Sequence, residues 1–120
     1  MSDHEPISRE WLAAMTKRQA LLRRMFAVFV REEPQRIDRI GAALAAGDAG
    51  ELRFLTHGLK GSAATLGAEP IRCCCQALEG AALAGDMAKA GERFRELCRE
   101  MQRAYEFMND ELSRLPAPPG

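Results

Sequence analysis

With 120 residues the chain is long enough for one domain around one core. Its 17 Lys and Arg balance its 17 Asp and Glu, which removes any global field favouring nucleic acid or anionic membrane. Scarce aromatics with abundant Ala, Leu, Arg and Glu favour helix over sheet, and no apolar run approaches the roughly 20 residues of a membrane span.

The start, Met1-Ser2-Asp3-His4-Glu5-Pro6, lacks the basic and apolar regions of a signal peptide, so a cytoplasmic location is expected. Ser8 can cap a short amphipathic helix over about 8–15, containing Trp11 and Met15. Thr16 and Gln19 form a capping-box pattern before Leu21, Leu22, Met25, Phe26 and Phe29, predicting a helix to about Arg31. Pro34 then either opens a new helix at its first position or kinks a long one; Ile37, Ile40 and Leu44 continue the apolar stripe. Ala46-Gly47-Asp48 stops one helix and caps the next, with Glu51 placed to complete the cap. That next helix, about 49–66, ends before Gly67, where a left-handed residue is favoured.

Glu69-Pro70 opens another helix, with Ile71, Cys74, Cys75, Leu78 and Ala82 at helical spacing. Ala84-Gly85-Asp86 repeats the stop-and-cap device. A last helix carries Met87, Ala90, Phe94, Leu97, Met101, Tyr105, Met108 and Leu112 at steps of three and four. Residues 116–120, rich in proline, read as a disordered tail. The pattern predicts an all-α fold over 1–115: an antiparallel up-and-down four-helix bundle with a short N-terminal helix, expected as a monomer. Cys73-Cys74-Cys75 and Cys98 do not have C-x-x-C spacing, and consecutive helical residues point in different directions. They are expected as small apolar core residues, with no metal site.

Histidine chemistry points to one residue. The only other histidine, His4, lies near the N-terminus. At roughly 100° per residue, Leu52, Leu55, Leu59, Ser62, Ala63 and Leu66 share one arc of their helix. His57 lies on the opposite side with Arg53, Lys60, Gly61 and Ala64, and Phe54 stands at the margin. His57 is therefore expected to face solvent or a partner. A solvated histidine without a role is the competing reading from spacing alone. Gly58 and Gly61 weigh against it. Gly inside a helix costs roughly 1 kcal/mol relative to Ala, so two in one turn suggest stability given up for access beside His57. Lys60 adds a cation where a bound phosphate would need one.

At these residues the chain resembles the histidine-containing phosphotransfer (HPt) domain family of two-component phosphorelays. The resemblance runs through His57-x-Leu59-Lys60-Gly61-Ser62, Leu66-Gly67-Ala68 and Cys75-x-x-Leu78-Glu79, and covers about residues 7–112. It implies that His57 accepts a phosphoryl group from a receiver-domain aspartyl phosphate and returns it to another receiver's aspartate. It also implies that Lys60 steadies the phosphoryl charge, Gly61 leaves room for it and Ser62 supports the site; Gly58 falls at a variable position of the pattern. Response-regulator receivers or a hybrid histidine kinase are the implied partners, with Mg²⁺ supplied by the receiver and no kinase activity in this chain. Phe54, Arg53 and Ala64 are expected at the docking surface. Trp11 is expected either there or capping the core. Two further readings remain at this point: a docking module that is never phosphorylated, and a metal- or redox-responsive bundle using the cysteines.

Overall fold

The computed structural model describes residues 5–115. Five helices follow in order: α1 (Arg9–Ala14), α2 (Gln19–Ala46), α3 (Ala49–Thr65), α4 (Glu69–Leu83) and α5 (Met87–Arg114). No strand occurs among the described residues. Helices α2 to α5 form a ring in which each packs on the next and α5 closes on α2, leaving α3 diagonal to α5. Side-chain contacts give the directions. Arg23 at the start of α2 donates to the Leu112 carbonyl near the end of α5, and Arg39 meets Glu51 across α2 and α3. Neighbours are antiparallel, as short connections require. Among the described residues no helix is long and apolar enough to cross a membrane.

The turns form for local reasons. Gly47 ends α2 at φ 69°, and the Asp48 carboxylate accepts from the Glu51 amide at 3.1 Å. Asp86 does the same for α5 through the Lys89 amide at 3.0 Å. Each satisfies one of the orphan donors at a helix start. Glu51 does not complete a capping box; its carboxylate goes to Arg39 instead, 3.2 Å away. Gly67 is constrained twice, by its φ of 68° and by Trp11, whose Cβ and Cγ would stand 2.7 Å from any added Cβ.

Two expectations about α2 need correction. Thr16 does not cap it: the helix begins at Gln19 after Arg18 with no side-chain cap, and the Thr16 hydroxyl bonds back to the Leu12 carbonyl of α1. Nor does the helix stop near Arg31; it runs through Pro34 to Ala46. Proline removes one hydrogen bond and disfavours the preceding turn. Burial of Phe29 before it and Ile40 after it holds the two halves on one core. The 28-residue α2 and α5 are each about 42 Å long and outreach α3 and α4. Helix α1 fills that step, with the Ser8 amide on the Gly67 carbonyl, Ile7 buried, and Trp11 stacked 6.2 Å from Phe26. His4 and the tail at 116–120 lie outside the described residues.

Candidate functional site

The α3 stripe is the core face. Leu52, Leu55, Leu59, Ala63 and Leu66 are all buried, while the His57 side chain is 73% exposed on the other side. Arg53, Phe54, Gly61 and Ala64 are exposed on α3 as well, Ser62 is half-buried, and Phe54 at 72% is the most open large apolar side chain of the described residues. Trp11 is not with them. It packs on Gly67 and Phe26, about 15 Å along α3 from His57 at 1.5 Å per residue. Its ring is held in the end of the core and takes the capping role.

Lys60 lies one turn from His57, and a carboxylate from α4 joins the two. Lys60 Nζ is 2.7 Å from Glu79 Oε1, and His57 Nδ1 is 3.5 Å from Glu79 Oε2. The resting Lys60 is therefore an ion-pair member rather than an isolated cation. Sequence reasoning assigned no role to Glu79. Its signal was present in the turn: His57 lies ten residues before Gly67 and Glu79 twelve after it, so an antiparallel pair brings them to one level.

On the other flank α2 contributes Glu33 and Arg36, which the hydropathy pattern did not single out. Glu33 is buried, and Arg36 Nε sits 3.3 Å from its Oε1. Burial pushes the Glu33 carboxyl above the usual range and Glu32 adds to this, while Arg36 and the facing Ser62 hydroxyl pull the other way. The two glycines differ. A Cβ on Gly61 would meet nothing within 4 Å, whereas one on Gly58 would stand 3.1 Å from Arg36 Nη1.

His57 thus separates two grooves. One, of about 500 Å³, runs past Arg36, Arg39, Arg53, Phe54 and Glu79. The other, of about 670 Å³, is more apolar and runs between α2 and α3 past Met25, Val28, Phe29, Gly61 and Ser62.

The cysteines diverge as consecutive helical residues must. Cys75 is in the core, and burial pushes its thiol up to about 12. Cys74 packs against the core and is pushed up to about 11, chiefly by burial. Cys73 is exposed, contrary to expectation, because it shares the outer face of α4 with Glu69 and Arg72. Among the described residues no three His, Cys, Asp or Glu side chains gather as a metal-ligand group.

A sequence model of the family described as Hpt domain matches residues 24–114. The chain belongs to the Hpt domain family. Hpt domains are phosphotransfer carriers, and the chain is a phosphotransfer intermediate of phosphorelay signalling. Among solved structures it is similar to the histidine-containing phosphotransfer protein B (HptB) of Pseudomonas aeruginosa PAO1. The two are 26% identical, with a TM-score of 0.85 over 92% of this chain and 97% of that one. No curated protein matches it.

Proposed function

We propose that His57 carries the phosphoryl group, taking it from the aspartyl phosphate of one receiver domain and passing it to the aspartate of another. One observation carries this reading: an exposed imidazole has a lysine–glutamate pair on one side and an unfilled glycine one turn on. With Nδ1–H directed at Glu79, Nε2 keeps the lone pair. That pair forms the N–P bond as the O–P bond of the acyl phosphate breaks, and the O–P electrons leave on the receiver's carboxylate. The Nδ1 proton stays on the ring, which gains positive charge opposite Glu79. The 3.5 Å separation is long for a hydrogen bond and would tighten as that charge develops. Transfer onward is the reverse reaction on a second aspartate.

Lys60 would share its charge between Glu79 and the phosphoryl oxygens, and Gly61 would leave the room they need. Ser62 would support the site through Glu33 rather than by touching the phosphoryl group. Phosphoryl transfer depends mainly on positioning and charge stabilisation, so the receiver would supply the aspartate, the Mg²⁺ and the remaining groups. A hybrid histidine kinase is a further partner of the same chemistry. This chain needs no kinase activity of its own, acts as a monomer in the cytoplasm, and would be docked over Phe54, Arg53 and Ala64.

The test is to mix the chain with a phosphorylated receiver and Mg²⁺ and follow acid-labile phosphate. Wild type should be labelled and His57→Gln should not. Equal labelling of both would overturn the proposal. Receiver binding without labelling, across a panel of receivers, would favour a pure docking module.

A further inference from the structure

The second glycine beside His57 is the starting point. Gly61 faces open space, whereas exposed Gly58 has the Arg36 guanidinium of α2 beside it, with Nη1 3.1 Å and Cζ 3.5 Å from where a Cβ would stand. Any side chain at 58 would make the guanidinium give way by a few tenths of an ångström. Glu33, one turn earlier on α2 and buried, holds the group through Nε at 3.3 Å. The contact is an ion pair without hydrogen-bond geometry, so it holds the charge near Glu33 and leaves the guanidinium donors unused. Nη1 is buried and has no acceptor among the described residues, an uncommon state for a buried donor. Arg36 also lines the same groove as His57 and Glu79. Nearby Arg39 differs, because its guanidinium already meets Glu51 at 3.2 Å.

We infer that Arg36 is a second phosphoryl-binding cation, which reaches the group on His57 from the α2 side while Lys60 reaches it from the α4 side. This rests on the reading of His57 as the carrier. The phosphoryl group spreads negative charge over three oxygens during transfer, and a planar guanidinium can donate to two of them at once. Gly58 is the seat that lets α2 bring this cation in, and Glu33 is the counter-charge that keeps it there. Arg36 forms no covalent bond; its side chain is 32% exposed, and a small swing of the guanidinium off Gly58 would turn the unpaired Nη1 toward the incoming oxygens. Two cations from two helices bracket the ring, so the site is built across three elements rather than on α3 alone.

The experiment uses the full chain and a receiver domain chosen because it labels wild-type His57. That receiver is phosphorylated with acetyl phosphate in Mg²⁺, and single-turnover transfer is measured at saturating receiver so that docking is not read. Arg36→Ala should slow transfer about tenfold, the lower end for losing one charge-assisted hydrogen bond. Arg36→Lys should recover part of the loss, because it keeps the charge without the fork. Gly58→Ala should slow transfer while raising the melting temperature, since it displaces the guanidinium and improves the helix. Arg36→Ala also leaves Glu33 buried without its partner, so the double variant Glu33→Gln, Arg36→Ala is included and should stay slow. A single Arg36→Ala variant within twofold of wild type would overturn the inference, as would wild-type rates in the double variant. His57→Gln run alongside reports separately on the carrier residue: its labelling would sink the underlying reading, whatever Arg36 does.

Discussion

Replacing Gly61 with Ala should push stability and function in opposite directions. Gly61 is in the interior of α3, where Gly is about 1 kcal/mol less favourable than Ala. The new Cβ would meet no atom within 4 Å, so no packing penalty offsets that gain. For 120 residues the unfolding entropy near the midpoint is about 250 cal/mol/K, so 1 kcal/mol corresponds to a rise of about 4 °C. The same methyl would occupy open space one turn from His57, where the proposed carrier role places the incoming phosphoryl group. A displacement of the reacting atoms approaching 1 Å costs roughly a hundredfold, so transfer should fall roughly ten- to a hundredfold. Calorimetry reads the first effect and single-turnover transfer from a phosphorylated receiver the second. Gly91→Ala is the control. It lies on α5, diagonal to α3, and its Cβ would have only the Arg95 guanidinium near it, at 3.9 Å. It should stabilise similarly without slowing transfer. A Gly61→Ala variant that melts lower would refute the open-space argument, and one that transfers within twofold of wild type would refute the access argument.

Other expectations follow from burial. Glu33 is raised above 4.5 mainly by desolvation, so its ionised form costs stability in the fold at neutral pH, and that cost disappears as pH falls below 4.5. Glu33→Gln should therefore melt higher than wild type at pH 7, with the two converging in acid; a lower melting point at pH 7 would show that the Arg36 pair outweighs burial. Cys75, buried and pushed up to about 12, should resist alkylation in the native protein while exposed Cys73 reacts; peptide mapping showing equal native rates would contradict this packing. Phe54→Ala should raise the KM for a receiver about tenfold while leaving the melting temperature nearly unchanged, because its ring is 72% exposed. An unchanged KM would move the docking surface elsewhere.

The stop-and-cap pairs at Gly47-Asp48 and Gly85-Asp86, the buried α3 leucines and the exposed position of His57 were legible in the chain, because each depends on residues within one or two turns. Local rules were less informative where a distant element intervened. Thr16 and Gln19 have the spacing of a capping box, but the Thr16 hydroxyl was taken by α1. Pro34 left two outcomes open, and packing on both sides of it selected a continuous helix. Cys73 looked like part of an apolar run until the helix rotated it outward. What the sequence by itself determined was the helical segments other than the join at Pro34, their core faces and the direction of His57, since helical periodicity is a property of near neighbours. Only the tertiary structure decided the company of that histidine. Glu79 arrives from α4, Arg36 and Glu33 from α2, and Trp11 turns inward onto Gly67, because those contacts depend on how separate helices align across the bundle.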